Sequence, residues 1–303
     1  MNIAAILLLA MLLDAAMGEP RWIWSRLPHP AVLMGRAIDA LDRHLNHGGM
    51  RRAKGIAALA ALCLGAWIAG TLIAQLGGLF TALAAAVLIA QRSLVDHVAA
   101  VATALRQSTE AGRASVAMIV GRDISAMEPA DVARAAIESA AENFSDGVIA
   151  PIFWLVIGGL PGLMLYKAVN TADSMIGHRT PRHEAFGWAA ARLDDLLNIG
   201  PARLSAALIA ILAKPRPQWR DIAREAHQHR SPNGGWPEAA MARSIGVALS
   251  GPRAYGGQMQ QYPLVNPEGM RTPGPVQIDA AVRVLWRAWG AVLAGAFVAA
   301  LLI

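Results

Sequence analysis

Between residues 141 and 203, three short stretches crowd acids, amides and bases against strongly apolar sequence. In AENFSDGVIAPIFW, Glu142 and Asp146 stand four residues apart, so a helix end would put both carboxylates on one face, with Asn143 and Ser145 beside them. Oxygen donors of this kind suit Mg²⁺, which takes one or two carboxylates together with substrate phosphates. In LMLYKAVNTADSMIG, Lys167, Asn170, Thr171 and Ser174 fall at i, i+3, i+4 and i+7, one stripe of a helix, with Tyr166 and Asp173 adjacent. Lys167 can neutralise a phosphate, and Asp173 can hold a metal or accept a proton from an attacking amine. In ARLDDLLN, Asp194 and Asn198 are four apart, whereas Arg192 and Asp195 are three apart and can simply pair. Arg203 opens an apolar run just past Pro201, where it needs an anion or the membrane interface.

Each of these groups also has a plain structural reading. ENFSDG can be a capped helix terminus, the Lys167 stripe a polar seam between helices, and Arg192 with Asp195 a self-neutralised pair. Asn233-Gly234-Gly235, followed by Pro237 and Glu238, makes a loop able to bring backbone N–H groups up to a phosphate. Asp14 and Glu19 repeat the acidic theme more weakly. His29, between two prolines, reads as a loop hydrogen-bonder, and His227 with His229 as surface. The sequence carries no Walker A motif, dinucleotide glycine fingerprint or nucleophile elbow.

The elements that must position these residues are apolar. Of 303 residues 55% are hydrophobic and only 16% charged, well short of the quarter usual in soluble domains, which points to lipid. The net charge of +6 is spread over loop arginines rather than gathered in the basic-aromatic patch that nucleic acid needs. The lone Cys63 excludes an internal disulfide. Residues 3–13 read as a retained helix rather than a signal peptide. Gly55–Leu76 is the clearest crossing, and Leu79–Ala90 begins another after the uncharged Gly77-Gly78 link. Arg51, Arg52, Lys54 and Arg92 flank the outer ends of that pair, so the positive-inside rule puts those ends in the cytoplasm.

Residues 148–157 and 160–169 are each about ten apolar residues, roughly 15 Å of helix, too short to cross a core of about 30 Å. With GGLPG between them they form either one broken crossing or a re-entrant hairpin. The hairpin is favoured because it lets two polar clusters serve one site. The predicted fold is all-α: a polytopic integral membrane protein with short, re-entrant helices and helical cytoplasmic loops. It forms one domain over 1–303, with a helical insertion at about 93–147 and a polar loop at about 214–277.

LLDAAMGEP, LPHPAVLMGRAI, AENFSDGVIAPIFW, GGLPGLMLYKAVNTADSMIGH, FGWAAARLDDLLNIGPARL and NGGWPEAAMARSIGVALSGP, collinear from residue 12 to about 257, resemble the CobD/CbiB family of cobalamin biosynthesis. Gly18-Glu19-Pro20 stands where that family often has Gly-Asp-Pro. The resemblance implies a multi-pass enzyme of the bacterial inner membrane, adenosylcobinamide-phosphate synthase, with its active site facing the cytoplasm. Such an enzyme joins adenosylcobyric acid to (R)-1-aminopropan-2-ol phosphate, or a related amino alcohol, by an amide bond, with ATP and Mg²⁺. On the matched positions it implies Glu142, Asp146 and Asp173 for metal, and Lys167, Asp194 and Asp195 for catalysis. Arg192, Arg203, Asn143, Asn170, Thr171, Ser174, Asn233 and Glu238 would bind substrate and phosphate. The implied partners are these substrates, membrane lipid, and further copies of the chain or other enzymes of the pathway, but no nucleic acid. Two other classes fit less well: a transporter of a corrinoid or phosphorylated solute, and a non-catalytic membrane regulator of the same fold.

Overall fold

The computed structural model describes residues 1–302 other than 122, 252, 256, 257 and 261, with the side chains of 21, 253–255 and 258–260 left aside. The helices run in the order α1 (Ile3–Met17), α2 (Arg21–Trp24), α3 (Pro30–Leu45), α4 (Arg51–Gln75), α5 (Gly78–Leu88), α6 (Gln91–Gln107), α7 (Thr109–Val116) and α8 (Pro129–Phe144). After a π-helical turn, Ser145–Ile149, come α9 (Ala150–Ile176), α10 (Trp188–Leu197), α11 (Ile199–Leu212), α12 (Trp219–Ala226), α13 (Gly235–Ile245) and α14 (Pro275–Leu302). The strands are β1 (Leu249–Ser250), β2 (Arg253–Tyr255), β3 (Gln258–Gln260) and β4 (Leu264–Val265), paired antiparallel as β1 with β4 and β2 with β3.

Among the described residues four helical runs are long and apolar enough to cross a membrane: Arg51–Gln75, Gly78–Gln107, Pro129–Ile176 and Pro275–Leu302. Trp188–Leu197 and Ile199–Leu212 make a fifth only if taken together as one bent span. The chain is thus an all-α polytopic membrane protein. It gathers into two compact units, the first of residues 1–90, 146–199 and 293–303, the second of 91–145 and 200–292.

In the first unit α4 packs along α9. Between lipid-covered helices no hydrophobic force drives association, so close packing depends on small residues. The residues α4 buries are Gly55, Ala58 and Gly70. A Cβ on Gly70 would come within 2.6 Å of Pro161 Cα, and one on Gly55 within 2.0 Å of the Phe186 carbonyl. Around Ala58 a core of Ile38, Ala172, Ile176, Phe186 and Ala190 joins α3, α4, α9 and α10.

α9 is not straight. Gly159 has φ 60° and ψ −161°, a conformation that requires glycine, and Pro161 follows it. Tyr166 Oη donates to the Asp146 carbonyl at 3.0 Å, whereas twenty residues of straight helix would part them by about 30 Å. Residues 150–176 therefore fold back as a re-entrant hairpin. Its second arm is longer than the ten residues expected, because helix continues through Lys167, Asn170 and Asp173 to Ile176. Polar side chains on one face do not stop a helix when other helices cover them.

In the second unit α6 buries Leu94, Val95, Val98, Val101, Ala102 and Leu105, the spacing of a one-faced helix. α8 begins with Pro129 and a capping box in which Asp131 Oδ2 accepts the Glu128 N–H at 3.2 Å. α13 pairs with α12, where Arg243 donates to both oxygens of Glu225 at 3.0 and 2.6 Å.

Candidate active site

Three elements of the first unit meet at Tyr166. The π turn supplies Asp146, the second hairpin arm supplies Tyr166 and Asn170, and α10 with its C-cap supplies Asp194 and Asn198. A wide turn frees carbonyl groups from the regular helical ladder, and Tyr166 takes up that of Asp146. Tyr166 Oη also lies 3.1 Å from Asn198 Oδ1, and Asn198 Nδ2 donates to Asp194 Oδ2 at 3.0 Å. Asn170 Nδ2 donates to Asp194 Oδ1 at 3.1 Å. Asp194 thus has one amide on each oxygen, while Tyr166 and Asn198 are buried.

Lys167 follows Tyr166 on the same arm, and its electrostatic neighbours are Asp146 and Glu19. Glu19, given second rank in the sequence, therefore belongs to this cluster. Asp173 and Asp194 join Asp146 as charges around Tyr166. His29 caps the N-terminus of α3, its Nδ1 accepting the Ala31 N–H at 3.2 Å, which is the loop role expected of it. Burial lowers its pKa and Lys167 adds to the effect, against Glu19.

Other predicted residues of this unit turn away. Thr171 Oγ1 donates to the Lys167 carbonyl at 2.7 Å and Ser174 Oγ to that of Asn170 at 2.9 Å, so both hydroxyls bond their own helix. Arg192 pairs with Asp195 at 3.7 Å on the exposed side of α10, the bland alternative for that pair.

The second unit holds the remaining candidates. Glu142 and Asn143 are exposed near the end of α8, and Asn143 Nδ2 donates to the Ser139 carbonyl at 2.9 Å. Arg203 Nη1 donates to Asn233 Oδ1 at 3.2 Å, and its guanidinium lies 4.7 Å from the centre of the Trp236 ring. Glu238 is buried, and its Oε2 lies 3.6 Å from His229 Nε2. His229 is not the surface residue its polar surroundings suggested: its side chain is only 15% exposed. No periodicity could have found it, since its neighbours come from a turn. Glu138, also missed, is buried and accepts the Ser250 N–H at 2.7 Å.

Among the described residues no group of three or more His, Cys, Asp or Glu is placed to hold a metal ion, so Glu142, Asp146 and Asp173 form no closed cage. Mg²⁺ carried on nucleotide phosphates needs only one or two carboxylates. Asp146 and Asp173, both among the charges around Tyr166, are the carboxylates that could supply them.

A family model described as CobD/Cbib protein matches residues 7–285. The chain belongs to the CobD/CbiB family. Its relatives include three proteins named cobalamin biosynthesis protein CobD. That of Rhizobium meliloti strain 1021 is 48% identical over 99% of this chain and 98% of its own. That of Brucella suis biovar 1 is 44% identical over 93% and 92%, and that of Rhodobacter capsulatus 46% over 88% of each. No solved structure matches significantly. Membership of the CobD/CbiB family puts the Tyr166 cluster in a protein of the cobalamin pathway, in a multi-pass membrane setting.

Proposed function

We propose that this chain is an adenosylcobinamide-phosphate synthase. It joins adenosylcobyric acid to (R)-1-aminopropan-2-ol O-phosphate, with ATP and Mg²⁺, at the cytoplasmic face of the inner membrane. The observation that carries the reading is the hydrogen-bonded series from Asp146 through Tyr166 and Asn198 to Asp194 and Asn170, with Lys167 beside it. Polar groups held this way inside an apolar unit are costly and are kept where something binds.

Amide formation from a free carboxylate needs activation. The substrate carboxylate takes a phosphoryl group from ATP and becomes an acyl phosphate. The amine then attacks its carbonyl carbon, the C–N bond forms, the C–O bond to phosphate breaks, and phosphate leaves. Lys167 offsets charge on the transferred group. Asp194, fixed by two amides, accepts the proton the amine gives up. When bound, Mg²⁺ neutralises phosphate charge, and Asp146 and Asp173 would hold it.

The test is ligation by the purified, detergent-solubilised chain, with phosphorylated and free amino alcohol offered side by side. ATP-dependent amide product, seen by mass, supports the reading; its absence with both amines overturns it. The break at Gly159 also resembles the interrupted helices of carriers. Uptake of labelled substrate by liposomes without ligation would decide for that alternative.

A further inference from the structure

The second unit contains a hydrogen-bonded chain whose central residue has no part in the chemistry above. His229 lies just beyond α12. Its Nδ1 lies 3.1 Å from the Ser231 N–H and 3.3 Å from the Ser231 carbonyl oxygen; in the tautomer that accepts the N–H the proton sits on Nε2, and Nε2 faces Oε2 of Glu238 at 3.6 Å. That gap makes the contact electrostatic; a few tenths of an ångström of closure would make it a hydrogen bond. The turn continues from there. Ser231 Oγ accepts the N–H groups of Asn233 and Gly234, each at 3.2 Å. Asn233 Oδ1 in turn accepts from Arg203.

Two glycines make room for the ring. A Cβ on Gly234 would lie 3.1 Å from His229 Cε1 and 3.4 Å from Glu142 Oε1, and one on Gly235 would lie 2.6 Å from His229 Cβ. The imidazole is therefore built into the turn. It links a buried carboxylate to a guanidinium through two short polar residues, with a second carboxylate close by. Opposite charges held by one turn suit a small ligand that itself carries both signs.

We propose that His229 is a positioning residue: its Nε2–H aims the Glu238 carboxylate at the ammonium of the amino alcohol, while Arg203, at the other end of the turn, takes the phosphate. The identity of the ligand rests on the ligation reading. The role of the ring rests on the geometry of the turn.

The test is calorimetric titration of the full chain in detergent with three probes: 1-aminopropan-2-ol O-phosphate, 1-aminopropan-2-ol and isopropyl phosphate. His229→Asn keeps an acceptor for the Ser231 N–H but loses the donor toward Glu238. It weakens both amine-bearing probes about tenfold and leaves isopropyl phosphate as in wild type. His229→Gln, which keeps a donor near Nε2, restores most of the affinity. Arg203→Gln gives the reverse pattern, weakening the two phosphates and sparing the free amine. Three outcomes overturn the proposal: wild-type affinity for the amines in His229→Asn, equal weakening of all three probes, or no binding of any probe by wild type. A wild-type chain that binds the probes in this pattern yet makes no amide would instead sink the ligation reading and leave His229 its role.

Discussion

Tyr166 Oη sits 3.0 Å from the carbonyl of Asp146, a residue twenty places earlier in the chain. That one bond ties the far arm of the re-entrant hairpin to the widened turn that precedes the near arm. It also brings the acid of the turn within electrostatic reach of Lys167. Both the shape of the hairpin and the chemistry proposed for it pass through this contact.

Tyr166→Phe keeps the ring and removes the hydroxyl, leaving the Asp146 carbonyl and Asn198 without their shared partner. The expected cost is about 1–3 kcal/mol, read as a lower melting temperature in detergent, with ligation reduced alongside it.

The neighbouring acids of α10 should separate cleanly. Asp194→Asn removes the carboxylate held by Asn170 and Asn198, and ligation should fall by about 10²-fold or more. Asp195→Asn weakens a half-exposed pair with Arg192, so activity should stay within a few fold of wild type. Asp146→Asn should abolish ligation in a chain whose melting temperature is close to wild type. Rate assays on all three variants, with melting curves, check this.

Small residues on α4 admit the hairpin. Gly70→Ala pushes a methyl group to 2.6 Å from Pro161 Cα, against backbone that cannot yield cheaply, whereas Gly65→Ala meets nothing within 4 Å. The first should destabilise by more than 1 kcal/mol. The second should be neutral, or stabilising by up to about 1 kcal/mol from helix propensity. Thermal melts of the two variants side by side settle the contrast.

Asp42 predicts a pH effect. Burial pushes its carboxyl up, but Asn46 Nδ2 at 2.7 Å, Arg182 Nε at 3.0 Å and His183 outweigh this and hold its pKa below the ordinary value of 3.8. A depressed folded-state pKa stabilises above the unfolded value, and that contribution is lost as the pH falls through the folded one. Asp42→Asn should therefore be less stable than wild type by about 1–3 kcal/mol at pH 7. The difference should narrow as the pH falls below 3.8, which melting temperatures across that range would show.

Orientation is testable with single cysteines in a Cys63→Ala background. Leu76, exposed in the link after α4, should react from the outside with a membrane-impermeant maleimide when changed to cysteine. His44→Cys, near the Arg51 and Arg52 end, should react only once the membrane is opened.

Much of this was legible in the sequence because length and polarity act locally. The apolar run expected at Gly55–Leu76 is α4, Arg51–Gln75, and the Gly77-Gly78 link falls where α5 begins. GGLPG marked the reversal because glycine and proline constrain the backbone at their own positions. The stripe through Lys167 was visible as periodicity, but periodicity cannot say which members point at a partner. Asn170 reaches Asp194, whereas Thr171 and Ser174 bond their own helix. Spacing already set Asp194 with Asn198 and Asp195 with Arg192, but the contact of Asn170 with Asp194 comes from the facing arm. His229 looked solvated amid Gln228 and Arg230, because its burial comes from the turn at Gly234 and from Glu238.

The left-handed Gly159 bears on how the protein is made. The near arm, Ala150 to Gly158, is far too short to be left in a bilayer by itself. It is stable only once the chain has reversed and the far arm lies beside it. α4 is synthesised earlier and carries the socket at Gly70 that receives Pro161. Insertion of this segment is therefore a docking event onto a helix already in place rather than an independent threading. A bulky side chain at Gly70 would then reduce the yield of inserted protein before any assay of catalysis could register its effect.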